Sequence, residues 1–359
     1  MNVLGQELVP ALFGGVDRAI ADPLVKGIII TSGKDAFVAG ADLKAMESGA
    51  IDFSNMTTEQ LVDANMSLSR DLRRMEKGGK PVVAAVNGTA VGGGFEIVLA
   101  CHYRIAVDDP KILLGLREVN IGLLPGGGGT QRVVRMIGIQ ASAPLLMQGK
   151  LLSPQAMLAA KLIDKVVPKD QLLAEAKRWI LETGDAVAPW DKKGFQVPGG
   201  AGALSADARN FFSISNAMTR ANTFGNYPAA QAVASCLFEG AQLPMDTALR
   251  IEAKYFVKVF TDPVSGALIR TMFVNKGKAE KLEGRPEGVE KMQYKKIGIL
   301  GAGTMGAGLA LNAAKAGIEV VLLDRDQAAA EKGKAYAVKR VTRDIEKGRS
   351  TQEKADKLL

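Results

Sequence analysis

Histidine is all but missing from this chain: His102 is the only one in 359 residues. One histidine and two distant cysteines cannot supply the tetrahedral donor set of a zinc-type centre, so no metal site is expected. The two cysteines, Cys101 and Cys236, sit among apolar residues and give no disulfide framework. Buried free thiols in a reducing cytoplasm are the expectation. The N-terminus lacks the basic-then-apolar pattern of a secretory signal. Long uncharged runs are scarce too. None exceeds 18 residues, and one that reaches this length, Ile297 to Ala314, is at the lower edge of a membrane span. Its glycines are placed for a strand, a turn and a helix, so no transmembrane segment is expected.

What is present suits a multidomain globular protein. The hydrophobic content of 47% supports a sizeable core, and the length allows two or more domains. The net charge of +8 is spread along the chain, and no nucleic-acid-binding module accompanies it. A mild positive excess suits a phosphorylated small ligand.

The stretch from Asn87 to Arg132 organises the rest. Val82 to Val86 reads as a buried strand, and Phe95 to Cys101 as a short buried helix. Between and after them lie two glycine clusters, Gly92-Gly93-Gly94 and Gly126 to Gly129. Each has a carboxylate close by, Glu96 and Glu118. Glycines at a strand–helix junction let a ligand approach the backbone, and free amides at the helix start can hold a negatively charged oxygen. Two carboxylates beside such donors point to acid–base chemistry on an activated carbonyl compound.

These segments resemble the crotonase (enoyl-CoA hydratase/isomerase) superfamily, with its GGGxE and PExxxGxxPGxGGTQR motifs. Upstream, Phe37 to Leu43 is similar to the family's FxAGADL. The resemblance implies an oxyanion hole made by the Ala41 and Gly93 amides, and two catalytic glutamates, Glu96 and Glu118, flanking the substrate double bond. Three departures bear on Glu118: Arg117 replaces the usual proline, about two residues are inserted near Asp108-Asp109-Pro110, and Gly127 replaces the usual alanine.

Read in order, Asn2 to Ala21 has apolar residues at helical spacing, Val25 to Thr31 reads as a buried strand, and Met56 to Glu76 as a long helix. Crotonase relatives carry further strands before this point, so roughly two dozen residues are expected to be missing at the start. Asp42 is read as a cap or turn residue and His102 as a structural substitution for a family aspartate. Burial among Phe95, Ile97 and Val98 is expected to raise the Glu96 pKa. Glu118 beside Arg117 admits a second reading, an ordinary surface pair. Ser153-Pro154 starts a helix within Gln148 to Val167, and Asp170 to Glu182 reads as another.

Ala188 to Ala203, rich in proline and glycine, reads as a linker, followed by helices over Asn210–Arg220, Ala229–Gly240 and Met245–Thr261. PWD, NYPAAQA, EGAQ and DTALRIEAKYF resemble the connecting region of multifunctional fatty-acid oxidation alpha subunits. Lys296 to Leu300 then reads as a strand entering Gly301-Ala302-Gly303-Thr304-Met305-Gly306, and Val320 to Asp324 as a second strand ending in an acid 23 positions after Gly301. Strand, glycine turn, helix and acid form a dinucleotide fingerprint, with Gly301, Gly303, Thr304, Met305, Gly306 and Asp324 as the binding residues and NAD favoured over NADP. GAGTMG resembles the L-3-hydroxyacyl-CoA dehydrogenase family, which places its catalytic His and Glu further along than this chain reaches.

The expected architecture is α/β: a crotonase (ClpP-like spiral) domain over 1–185, a helical connecting region over 186–292, and a partial Rossmann domain over 293–359. The expected protein is a fatty-acid β-oxidation enzyme truncated at both ends. It would hydrate trans-2-enoyl-CoA, use coenzyme A thioesters as substrate and NAD in the dehydrogenase part, and pair with a thiolase β subunit. A peroxisomal-type bifunctional enzyme and a non-catalytic acyl-CoA or NAD-binding fragment are the alternatives. A coenzyme A transferase or hydrolase is disfavoured because no activated nucleophile is apparent.

Overall fold

The computed structural model describes residues 2–43, 55–202, 205–289, 292–346 and 350–359. The chain divides into two compact units, Met1–Glu283 and Gly284–Leu359.

The first unit opens with helix α1 (Leu8–Ala21), strand β1 (Ile28–Ile30) and helix α2 (Thr58–Glu76). Residues ahead of α1 are paired rather than helical: Leu4 N donates to Gly40 O at 2.8 Å and Ala39 N donates to Asn2 O at 2.9 Å. The apolar spacing that begins at Leu8 therefore marks the helix, and Asn2 to Leu4 is drawn off by a partner that periodicity does not reveal. β1 is shorter than the expected Val25–Thr31 because Val25 closes a turn, its N–H donating to Asp22 O at 3.1 Å. α2 starts at a reciprocal capping box between Thr57 and Gln60, which satisfies two orphan donors of its first turn.

Strand β2 (Val82–Val86) is fully buried. It pairs in parallel with β1 on one side and with β4 (Tyr103–Val107) on the other, in the sheet order β1-β2-β4-β6, where β6 is Lys165–Val167. A central parallel strand is covered on both faces, which is why its sequence is an unbroken apolar run. After β2 the chain turns into β3 (Ala90–Val91), which pairs in parallel with β5 (Leu114–Gly115) as a second, short layer. Single bridges extend that layer: Leu4 to Ala41, Val38 to Ala90 and Leu114 to Leu152. Helix α3 (Gly93–Ala100) runs directly out of β3. The glycine-rich junction thus lies where the second layer hands over to a buried helix.

Helices α4 (Gly129–Ile137), α5 (Ile139–Leu146), α6 (Pro154–Ala159) and α7 (Leu172–Glu182) complete the α/β part. Ser153 caps α6, with Pro154 at its first position. Beyond Ala188 come α8 (Ala206–Thr223), α9 (Pro228–Gly240) and α10 (Met245–Phe260). Then α11 (Pro263–Leu268) passes through a π-helical stretch, Ile269–Asn275, into α12 (Lys276–Glu280). Ala203, the last residue of the expected linker, lies outside the described residues. These later helices are not a detached spacer: Val233, Leu237, Val259 and Ile269 are buried in the same apolar core as β2 and α3.

The second unit has two parallel strands, β7 (Lys296–Leu300) and β8 (Glu319–Leu323), with helices α13 (Thr304–Lys315), α14 (Gln327–Glu346) and α15 (Gln352–Leu358). Its small core gathers Leu311, Val341 and Ala355. Among the described residues, no helix is long and apolar enough to cross a membrane.

Candidate active site

Two backbone segments touch at the junction. Gly92 (φ 57°) and Gly40 (φ 85°) both occupy the left-handed region, where a side chain is strained. A Cβ built on Gly94 would lie 2.2 Å from Val38 O, and one built on Gly40 would lie 3.2 Å from Val91 O and 3.9 Å from Gly93 N. The segment that carries Gly40 and Ala41 is therefore brought against the Val91–Gly93 segment. The surrounding groups are already committed: Gly92 N donates to Gly115 O at 2.9 Å, Gly92 O accepts from Phe95 and Glu96 N–H, and Asp42 N donates to Leu4 O. Gly93 is the first residue of α3, so its amide belongs to the orphan donors of a helix N-terminus.

Glu96 sits one turn into α3 and is buried. Its Oε1 accepts from both Gly127 N and Gly129 N at 2.7 Å, and its Oε2 lies 3.7 Å from where a Gly93 Cβ would stand. Burial pushes its pKa up, while the Gly129 and Gly127 amides and the Arg132 charge oppose that rise.

Glu118 opens a 3₁₀ turn, Glu118–Ile121, and its Oε1 lies 2.9 Å from the place a Gly92 Cβ would take. The residue is half-buried overall, but its Oε2 is shielded from solvent and has no hydrogen-bond partner. Its pKa is raised to about 8, first by burial and then by the Glu96 charge. Arg117 points to solvent, so the two residues are not a surface pair. The extra residues before β5 form a surface turn in which Asp109 accepts from the Lys111 and Ile112 amides. Neither departure displaces Glu118 from the site. Gly127 is the tighter departure: a Cβ there would stand 2.8 Å from Glu96 Oε2 and 3.0 Å from Leu68.

A third carboxylate, Glu252 on α10, enters the same neighbourhood and was not expected from the sequence. It is fully buried, accepts Gly128 N on Oε1 and Thr130 N on Oε2 (the latter at 2.9 Å), and also bonds the Thr130 hydroxyl. Its pKa is raised to about 8 by burial and by Glu96. One signal could have found it. Met245, Ala248, Leu249, Ala253 and Val257 mark the buried face of α10, and Glu252 stands on that face as its lone acid.

Behind the site, Arg132 is fully buried and bonds Glu76 through Nε (2.7 Å) and Nη2 (3.0 Å), while Nη1 donates to Gly127 O at 2.7 Å. Glu76 also receives Arg73 Nη1 at 2.7 Å, and Arg73 in turn bonds Asp191 and Asp246. PWD and the first turn of α10 are thereby tied to the end of α2. His102 serves the same scaffold: its Nδ1 accepts Val82 N at 3.1 Å and its Nε2 lies 3.1 Å from Glu76 O. Burial lowers its pKa, so a neutral ring donating from Nε2 fits both contacts. Cys101 and Cys236 are both buried, and burial pushes the Cys101 thiol up to about 12.

In the second unit, Gly301 (φ 96°) turns the chain out of β7 with its N–H on Leu323 O at 2.7 Å. A Cβ on Gly306 would fall 1.7 Å from Gly301 O, whereas nothing stands within 4 Å of one on Gly303. Gly306 is thus needed for close packing of α13 on the turn, and Gly303 leaves the turn open to a ligand. Thr304 and Met305 at the start of α13 are exposed. Asp324 Oδ2 accepts Ala302 N at 2.6 Å and Oδ1 accepts Arg325 N at 2.7 Å, bonds that hold its carboxyl below the usual range. The residues present fit a dinucleotide: an open glycine turn, a helix N-terminus and an ionised acid at the second strand end.

Comparison with known proteins agrees with this geometry. The sequence model of the enoyl-CoA hydratase/isomerase family matches residues 1–187, and that of the 3-hydroxyacyl-CoA dehydrogenase NAD-binding domain matches residues 296–359. The chain is 33% identical over its whole length to the fatty acid oxidation complex subunit alpha of Shewanella halifaxensis and 34% to that of Shewanella putrefaciens. It spans about half the length of these curated relatives. Among solved structures, human mitochondrial delta3-delta2-enoyl-CoA isomerase superposes with a TM-score of 0.51 at 22% identity, over 78% of this chain and 90% of that one. Enoyl-CoA hydratase from Bacillus halodurans gives 0.52 at 22% identity, over 75% and 90%. At that identity the likeness establishes the crotonase fold. By its matched sequence and its fold, the chain belongs to the enoyl-CoA hydratase/isomerase family.

Proposed function

We propose that the first unit hydrates trans-2-enoyl-CoA thioesters to 3-hydroxyacyl-CoA, as part of a fatty-acid β-oxidation protein. The observation that carries this is the pair of unlike carboxylates, Glu96 and Glu118, facing adjacent glycines beside the Ala41 and Gly93 amides. Those amides would receive the thioester oxygen and stabilise it as it becomes enolate-like. Glu96, whose charge is supported by two amides and Arg132, removes a proton from a water molecule as its oxygen bonds to Cβ. The π pair of the double bond moves to Cα, where Glu118, kept neutral by burial, delivers a proton. The proton gained by Glu96 returns to Glu118 through solvent, and the carboxylates are reset.

In the second unit, Gly301, Gly303, Thr304, Met305, Gly306 and Asp324 would hold NAD, with the pyrophosphate at the start of α13 and Asp324 accepting ribose hydroxyls. When bound, NAD supplies a hydride acceptor for oxidation of the 3-hydroxyacyl product. In this reading the chain divides into 1–185, 186–292 and 293–359, works in the cytoplasm, and joins a thiolase subunit in a fatty-acid oxidation complex.

The test is to follow loss of enoyl-thioester absorbance with this chain and its Glu96→Gln and Glu118→Gln variants. Turnover that disappears in both, with cooperative melting retained, supports the reading. Full turnover in either variant contradicts it.

A further inference from the structure

The four amides from Gly127 to Thr130 are shared between two carboxylates in strict alternation. Gly127 N and Gly129 N go to Glu96, and Gly128 N and Thr130 N go to Glu252. The alternation depends on Gly128, whose φ of 101° throws successive amides to opposite sides. The peptide unit between Gly127 and Gly128 is gripped at both ends, its N–H by Glu252 and its C=O by Arg132 Nη1 at 2.7 Å. A planar unit held at both ends cannot rotate about its long axis, and the amides on either side of it are then left aimed at Glu96. Glu252 comes from α10, outside residues 1–187 that carry the family match. Its helix is itself fastened, through Asp246 Oδ1 on Arg73 Nε at 2.7 Å.

We propose that Glu252 is a positioning residue for Glu96: by taking the Gly128 and Thr130 amides it fixes the turn that sends the Gly127 and Gly129 amides to Glu96 Oε1. The consequence for catalysis rests on the hydration reading above. The helical segment after the matched region then sets the aim of the base, which requires no direct contact with substrate.

Glu252→Gln is the informative change, because it keeps the volume and one acceptor oxygen while placing an NH₂ group against an amide that needs an acceptor. Two readouts are taken on the intact 359-residue chain. In ¹⁵N-labelled protein, the Gly127 and Gly129 amide resonances are expected to move together with those of Gly128 and Thr130. In hydration of a short trans-2-enoyl-CoA, kcat is expected to fall about 10²-fold, the scale of a misplaced catalytic group, with KM little changed. Glu252→Ala should act in the same direction; if it does not melt cooperatively, Glu252→Gln decides. Unmoved Gly127 and Gly129 resonances overturn the proposal, and so does an unchanged kcat in a chain that hydrates. If the unsubstituted chain shows no hydration, the functional reading fails, and the amide resonances alone decide whether Glu252 positions the turn.

Discussion

Glu96 and Glu118 face adjacent glycines, and burial raises the pKa of both, yet their hydrogen bonding differs. Glu96 Oε1 takes two backbone amides at 2.7 Å, while Glu118 Oε2 is shielded from solvent and has no partner. Burial raises the pKa of both acids, but the two glycine amides on Glu96 Oε1 favour its anion, and the proposed hydration accordingly uses Glu96 as base and Glu118 as acid.

That difference has a stability signature. Because the folded Glu118 pKa is raised to about 8, the native state keeps a proton that the unfolded chain loses near pH 4.5. Its stabilising contribution is full below about pH 4.5 and is lost as pH rises through about 8, at up to ~1.4 kcal/mol per pH unit. Glu252 carries the same sign. Thermal melts from pH 5 to 9 should show stability declining, and Glu118→Gln should flatten the decline and gain about 1–2 kcal/mol above pH 8. An equal slope in the variant would show that Glu118 titrates normally.

Gly94→Ala should damage the oxyanion region without touching either glutamate. Its Cβ would stand 2.2 Å from Val38 O, and backbone on both sides must separate. The segment carrying Ala41 would move away from Gly93. A stability loss of about 1–3 kcal/mol is expected, with kcat reduced more than binding. Steady-state kinetics and a urea melt check both; unchanged kcat would mean the two amides do not act together.

Glu76→Ala removes the acid shared by two buried arginines, Arg132 and Arg73. Breaking a buried pair on one side leaves uncompensated charge and typically costs about 3–5 kcal/mol. Denaturant midpoints should fall accordingly, and a change below about 1 kcal/mol would indicate that the network is solvated.

In the second unit, Gly306→Ala should abolish NAD binding, since the new Cβ would lie 1.7 Å from Gly301 O and force α13 off the turn. Calorimetric titration with NAD reports it directly. Gly303→Ala, with nothing within 4 Å of its Cβ, should fold normally and weaken binding only through the ligand's approach. Equal binding by the unsubstituted chain and Gly306→Ala would place the dinucleotide elsewhere.

The parts legible in the sequence were those whose contacts are short in chain distance. Gly92 to Glu96 is one strand–helix junction, and Gly301 to Gly306 is another, so spacing alone carries their geometry. Asn2 to Leu4 was misread as helical because its partners, Ala39 to Asp42, lie across the chain and leave no periodic trace. For Glu252 the apolar spacing of its helix marks a buried acid, but not its partner, since the bond to Gly128 joins residues 124 apart in sequence. The buried position of the Glu118 carboxyl was equally hidden, because the exposed Arg117 beside it imitates a surface pair. Long-range packing decides such cases, and local pattern does not record it.

The measurement that bears most directly on this account is the protonation state of Glu118. With glutamate labelled by ¹³C at the side-chain carboxyl, the resonance lost in Glu118→Gln identifies the group, and its shift can be followed against pH. A neutral carboxyl at pH 7 that ionises near pH 8 is expected. A resonance already ionised by pH 6, with an ordinary titration near 4.5, would contradict the assignment of Glu118 as the acid beside an anionic Glu96.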